Sequence, residues 1–440
     1  MKYKYLSSLK GWIFPTEQDR KDFRFFCKSI DSRKTHKLIE NLQNDTLKRL
    51  KTEFKTRKLK VVFLNSENSK WSYQTLYEAF DKNPKFDVQV LVTLKKNMLN
   101  SKLKSFDYKD YLKSNYEFFK TKGMNVGYAF DLEKNEFLSL KDFNADIVFY
   151  EQPWQLAKVQ SVLEVSKYAL PLYTSYGSVV SNGDDEYTQD LFKDVYTYFL
   201  DNEYMKIFLI AKGFDEKRLD VSGQLKLDAF LKPVDETKII WDNSGKYKKR
   251  IIWAPHHSFD ENTTLRYGTF HWNYRFMLDY AKQNSDYEFI LKPHPALMSE
   301  IITKHLMTED EMNRYFDEWN SLPNTKTYGK TDYFDMFRTS DLMITDCCSF
   351  LLEYLPTEKP VIHLVRENSV GQNLFGQKII KGYYSTHNLD ELQTNLDMLL
   401  KENNDPLKPV RLDTLKNDLY QPENGVAEYI VDYVTSILNS

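Results

Sequence analysis

Three apolar runs in the second half of this 440-residue chain end on groups that can donate, accept or carry protons. RIIWA is followed by Pro255, His256 and His257; YEFIL by Lys292, Pro293, His294 and Pro295; DLMIT by Asp346, Cys347, Cys348 and Ser349. Open parallel sheets bind ligands beyond the carboxyl ends of their strands, so the three sets are expected on one edge. A lysine with histidines suits a polyanionic ligand, and imidazole is available for proton transfer. Ser349 reads as the start of a helix, where unpaired N–H groups and the positive end of the dipole attract phosphate. The loop lacks the glycines of a dinucleotide or Walker A motif. His363, inside PVIHLV, reads as structural, and Cys347–Cys348 as small-residue packing. No cluster of carboxylates and histidines shows ligand spacing for a divalent ion, so no metal is expected; the acidic pair Asp184–Asp185 reads as a solvated loop.

These groups need a sheet to hold them, and the pattern supplies one. After a basic head, LKVVFLN (59–65), a helical stretch at 69–83 and FDVQVLVT (86–93) make a strand, helix, strand unit. A helix over 110–123 closes on a glycine, and DIVFYEQPW (146–154) reads as a buried strand stopped by proline. Residues 186–212 read as helix, VSGQLKLD (221–228) as a short strand and turn, and 231–249 as a polar connection. The alternation then resumes, with strands at 250–258, 287–295, 325–328, 341–349 and 360–365, helices near 270–284, 308–320 and 331–338, and a last helix at 426–438 that could cross back onto the first unit. Strands alternating with helices predict an α/β fold with parallel sheets. The expected division is a basic helical head (1–56), a first Rossmann-like domain (57–230) and a second (231–440).

Composition narrows the class. Charged residues make up 28%, hydrophobic residues 41%, and there are 14 Gly and 14 Pro, which excludes fibrous and disordered chains. No run of about 18 apolar residues and no secretory leader is visible, and three cysteines suit reduced thiols, so a cytoplasmic protein is expected. The net charge of −2 hides an asymmetry: residues 1–60 hold 17 Lys/Arg against 7 Asp/Glu, leaving 44 against 56 elsewhere. Leu38, Leu42, Leu47, Leu50 and Phe54 recur at helical spacing in this head. It reads equally as a surface helix packed on the domain or as one that lies on an anionic membrane, the inner face of the cytoplasmic membrane being the expected location. No nucleic-acid partner is expected.

The set VSGQLKLD, IIWAPHHS, LKPHP and SDLMITDCCSFLLEYLPTEKPVIHL, in that order and spacing, resembles the bacterial CDP-glycerol glycerophosphotransferase family of teichoic acid and capsule polymer synthesis. The likeness is specific from about residue 221 to 365 and looser before it. It implies a GT-B architecture: two Rossmann-like domains face each other across a cleft, the second holds a cytidine nucleotide, and no metal is required. By motif, Lys292 and His294 would meet the donor's phosphates, Asp346, Cys348 and Ser349 would form the phosphate loop, and Glu353 would suit the ribose hydroxyls. The family's serine pair is here Cys348–Ser349, and its aromatic after the aspartate is Cys347. The Trp-His-Gly-Thr-Pro motif of polymerising members corresponds to LPLYTSYGS (170–178), which has no histidine. His256, His257 and Glu151 are therefore the candidate bases.

The implied reaction transfers a polyol phosphate from a CDP-linked donor to a hydroxyl of a polyol-phosphate or glycan acceptor, possibly lipid-linked, releasing CMP. YEQPW (150–154) also resembles part of a motif pair in capsule transferases that use CMP-linked Kdo. A GT-B glycosyltransferase and a non-catalytic nucleotide-binding subunit are thus the alternatives.

Overall fold

The computed structural model describes residues 17–100, 107–178, 180–183, 187–263, 265–330 and 332–440. The first 16 residues of the head and the pair Asp184–Asp185 lie outside the described residues, as does the side chain of Cys27.

The head forms one helix, α1 (Glu17–Glu53). Its inward face is fixed by burial: Leu50 and Phe54 join the core of the first sheet, and Gln43 and Thr46 bond Ser166. Of the expected stripe only Leu38 is freely exposed, at 50%. Apolar side chains already placed in a core are not available for insertion into lipid, so the packed-helix reading of residues 38–54 is correct, and the head is part of the first unit.

That unit is built on β1 (Leu59–Asn65), β2 (Phe86–Val92), β3 (Val126–Tyr128), β6 (Ile147–Tyr150), β7 (Leu170–Thr174), β8 (Thr197–Leu200) and β9 (Leu219–Val221); β4 (Phe130–Asp131) and β5 (Glu136–Phe137) pair separately as a short ribbon. The order is β3-β2-β1-β6-β7-β8-β9, every pair parallel. Helix α2 (Gln74–Lys82) links β1 to β2, and α3 (Tyr108–Thr121) precedes β3. Gly123 follows α3 at φ +74°, the left-handed conformation that ends a helix without steric cost.

Residues 186–212 correct the sequence expectation: the span holds a short helix at Asp190–Asp194, β8, and a second helix at Glu203–Ala211. Thr197–Leu200 is buried at every position, so its apolar run lacks the alternation that would have distinguished strand from helix.

The second sheet has β10 (Lys249–Ala254), β11 (Tyr287–Leu291), β12 (Thr325–Thr327), β13 (Leu342–Thr345), β14 (Val361–Leu364) and β15 (Tyr384–Thr386), in the parallel order β12-β11-β10-β13-β14-β15. Helix α4 (Phe270–Gln283) joins β10 to β11, and α5 (Cys348–Glu353) follows β13.

The final helix, α6 (Val426–Asn439), crosses back. Val426, Ile430, Val434 and Leu438, spaced by four, enter the same core as Leu50, Phe54 and Phe80. Asp228, the last residue of VSGQLKLD, accepts hydrogen bonds from the first amides of α6, Val426 N at 2.7 Å and Ala427 N at 2.8 Å. That motif therefore fastens the crossing.

Candidate active site

Strand order decides which loops meet. β11, β10 and β13 are neighbours, so the segments after them emerge side by side and face the first sheet across a cleft of about 920 Å³. Its second-sheet wall carries His256, His257, Lys292, His294, Cys348 and Ser349.

The three imidazoles stack in one patch, with ring centroids 4.3 Å apart for His256–His257, 4.9 Å for His256–His294 and 4.1 Å for His257–His294. One ring nitrogen of each lies within 4.8 Å of the others, close enough to share an ion. This corrects the expectation that no such cluster exists, because sequence spacing does not reveal how strand ends converge.

The chemistry of the nitrogens bears on which ion. Ser258 N–H donates to Nδ1 of His256 at 3.3 Å, and Ala296 N–H donates to Nδ1 of His294 at 3.1 Å. An accepting nitrogen holds no proton, so each neutral ring carries its hydrogen on Nε2. Two of the three rings therefore present N–H donors, which suit phosphate oxygens and leave no lone pair for a metal. Burial, reinforced by the neighbouring rings, pushes His256 well below its ordinary pKa, and burial with nearby positive groups takes His294 down to about 3. Burial lowers His257 as well. The cluster is neutral at pH 7, and a bound anion would supply the charge that favours its protonation.

Lys292 lies beside the trio. Burial lowers its pKa to about 8, and its Nζ donates to the Lys330 carbonyl at 3.1 Å and sits 4.7 Å from the centroid of the Tyr333 ring. Ser349 lines the cleft in the first turn of α5, but that helix has six residues, so the expected dipole contribution is small. Burial raises the Cys347 thiol to about 11, which fits packing and excludes a ready nucleophile. His363 is buried in β14 and lowered to about 4, as a structural histidine would be.

Three expected contacts take different roles. Asp346 is 1% exposed and is not part of the cleft lining. Its carboxylate accepts from the backbone N–H groups of His256 and Thr269 and, at 2.7 Å, from the Thr269 hydroxyl. It ties the histidine loop to the start of α4 and does not face a phosphate; burial lifts its pKa to about 6. Gly268 completes this tie, since a Cβ there would come within 2.8 Å of the His256 carbonyl oxygen.

Glu353 is fully buried and accepts from the Tyr333 hydroxyl, from Lys226 Nζ at 3.1 Å and from Ser178 Oγ at 3.3 Å. Ser178 and Lys226 follow β7 and β9 of the first sheet, so this carboxylate joins the two walls and is occupied before any ribose arrives.

Glu151, the third, lies behind the opposite wall. One oxygen accepts from Ser66 N at 2.9 Å and Glu67 N at 3.2 Å, the other has no partner, and burial raises the pKa to about 8. A carboxyl that keeps its proton at pH 7 and does not line the cleft is poorly placed as the base.

Sequence reasoning missed the first-sheet wall. Lys70, Ser72, Trp154, Tyr176 and Ser178 line it, while on the opposite wall Ser258 bonds the His256 ring and Thr269 holds Asp346, which in turn accepts from His256 N–H. The rule that located the histidines, inspecting the residues just past each strand end, would have found SKWSY after β1 had it been applied there.

This architecture and this wall can be set beside known proteins. Residues 176–370 match the sequence model of the family described as CDP-glycerol:poly(glycerophosphate) glycerophosphotransferase. The motifs that resemble this family, from VSGQLKLD to PVIHL, lie within that stretch, and the family so described is one of transferases. Among solved structures, UDP-GlcNAc 2-epimerase from Neisseria meningitidis bound to UDP-GlcNAc is similar over 86% of this chain and 100% of its own, with 14% identity and a TM-score of 0.56. The UDP co-structure of S. aureus MnaA is similar over 87% and 97%, at 12% identity and a TM-score of 0.56. The Methanocaldococcus jannaschii UDP-GlcNAc 2-epimerase with UDP-GlcNAc and UDP covers 86% and 99%, at 15% and 0.52. At such identities the likeness carries the fold alone, a two-domain Rossmann-like GT-B fold. No curated protein matches the chain.

Proposed function

We propose that this protein transfers glycerol phosphate, or a related polyol phosphate, from a CDP-linked donor to a hydroxyl of a polyol-phosphate or glycan acceptor. The observation that carries the reading is the imidazole patch: three neutral rings, two with their Nε2–H fixed by backbone donors, beside Lys292. Such a surface recognises a diphosphate by hydrogen bonds and gains charge as the anion arrives. The acceptor oxygen forms a bond to the distal phosphorus, the bond from that phosphorus to the bridging oxygen breaks, and CMP leaves with the electron pair. Positioning and charge stabilisation do most of the work in such a transfer. Of the candidate bases, His257 remains at the cleft with a ring nitrogen, Nδ1, that has no partner, whereas both nitrogens of His256 are committed, and the proposal requires no metal.

A CMP-release assay over CDP-glycerol, CDP-ribitol, CMP-Kdo and UDP-GlcNAc tests this. Acceptor-dependent release from a CDP-polyol alone is expected; release from CMP-Kdo alone would overturn the reading in favour of sugar transfer.

We also place the enzyme at an anionic membrane surface, where lipid-linked acceptors would lie. Among the described residues no helix is long and apolar enough to cross a membrane. Arg33, Lys34, Lys37 and Lys48 are exposed on α1, and each basic residue near anionic lipid is worth about 1 kcal/mol. Because Leu50 and Phe54 belong to the core, the test reverses these four charges to Glu and leaves the helix in place. Sedimentation with phosphatidylglycerol vesicles should then fall sharply, and unchanged pelleting would remove the membrane role.

A further inference from the structure

The wall opposite the histidines has its own set of unused donors. Lys70 leaves a short turn after β1, and its Nζ sits 4.8 Å from the ring centroid of Trp154 and 5.2 Å from that of Tyr176. The two rings meet edge to face at 5.7 Å and form a fixed seat for the lysine. Its nearest carboxylate, Glu67 at 3.5 Å, is shared with Lys95, so the three side chains carry a net positive charge.

Two residues on, Ser72 is 8% exposed and lines the cleft, yet its Oγ has no hydrogen-bond partner. Thr75 lines the cleft too, and its buried Oγ1 is also unpartnered. Both flank the start of α2, a nine-residue helix whose N-terminus has no side-chain cap. Buried hydroxyls without partners are costly, and an uncapped helix start leaves N–H groups that favour an anion.

We infer that Lys70, Ser72, Thr75 and the first turn of α2 form a phosphate-binding subsite for the acceptor, facing the donor wall across the cleft. The assignment of the anion to the acceptor rests on the proposed transfer reaction. A phosphate of a polyol-phosphate chain end would take the lysine's charge and the two hydroxyls, and its polyol would lie toward Trp154 and Tyr176. This holds the attacking hydroxyl near the histidines without the family's acceptor-side histidine. The charge of Lys70 is among those that depress His294, so the two walls already sense each other.

The test uses the full-length protein and glycerol 3-phosphate, with inorganic phosphate and glycerol as controls, measured by calorimetry for wild type, Lys70→Gln, Lys70→Arg and Ser72→Ala. Glycerol 3-phosphate should bind more tightly than either control. Its affinity should fall about tenfold or more in Lys70→Gln, fall a few-fold in Ser72→Ala, and be largely retained in Lys70→Arg, as expected for a charge-assisted site. CDP-glycerol affinity should stay within about twofold throughout. Wild-type affinity in Lys70→Gln, an equal loss of CDP-glycerol binding, or glycerol 3-phosphate binding no better than inorganic phosphate would each overturn the inference. If wild type neither binds nor turns over CDP-glycerol while Lys70-dependent binding of glycerol 3-phosphate persists, the transfer reading fails and the subsite stands.

Discussion

The two walls of the cleft are built by the same rule and filled with opposite chemistry. Each is a set of turns after parallel strands. On the second sheet the turns carry imidazoles, held neutral by burial and oriented by backbone donors. On the first sheet they carry a lysine seated on aromatic rings, with a carboxyl, Glu151, buried behind it. The difference teaches that a strand end provides a position, and the residue type placed there decides whether it becomes a proton carrier, a fixed charge or a structural tie. Asp346 shows the last case: it follows a strand as His256 does, yet turns inward to hold the histidine loop.

The most severe way to break the comparison is to empty the donor wall. His294→Ala should lower CMP release by about 10²–10³-fold, the usual loss for one preorganised donor to a developing charge, with the melting temperature nearly unchanged because the ring is only partly buried. Normal turnover would show that the imidazole patch is not the reaction surface.

Asp346→Ala should instead act on the fold. It leaves the N–H groups of His256 and Thr269 and the Thr269 hydroxyl without their acceptor, and each such loss costs about 1–3 kcal/mol, so a clear drop in denaturation midpoint is expected along with lost activity. A stable but inactive variant would return Asp346 to the phosphate loop.

A smaller and more selective effect is expected at Glu151. If it is a buried neutral acid, Glu151→Gln should retain CMP release within a few-fold; a loss of about a hundredfold or more would make it the base after all.

The two walls should also respond oppositely to pH. Glu151 has a folded pKa of about 8 against an ordinary 4.5, so the folded state holds the extra proton and stability falls as pH rises from 4.5 toward 8. His294 and His363, lowered to about 3 and 4 from 6.5, bind fewer protons when folded, so their contribution is lost as pH falls below 6.5. Denaturation curves at pH 5, 6.5 and 8 should therefore show Glu151→Gln gaining on wild type as pH rises; a constant difference would contradict the buried-acid assignment.

The smallest effect is none. Chelator treatment should leave CMP release unchanged, because His256 and His294 offer N–H groups and not lone pairs. Activity lost in chelator and restored by a divalent ion would reverse that argument.

Much of the second sheet was legible from the chain because its strands are compact apolar runs ending in conspicuous residues, as in IIWAPHH and FILKPHP. Strand β8 was not, since Thr-Tyr-Phe-Leu is buried on both faces and has no alternation to announce it. Among site residues, the histidines and Lys292 were read correctly as lining one edge, whereas Lys70 carries no motif and matters only through Trp154 and Tyr176, more than 80 positions away in sequence for one and 100 for the other.

By itself, then, the sequence determined the parallel α/β alternation, the strand-end groups of the donor wall and the family resemblance, all of which depend on residue type and local spacing. Only the tertiary structure decided that three histidines share a patch, that Asp346, Glu151 and Glu353 are buried in hydrogen bonds instead of lining the open cleft, and that the basic head and the last helix pack on the first sheet. Those outcomes depend on strand order and on which face of each element is buried, and neither is written in local spacing.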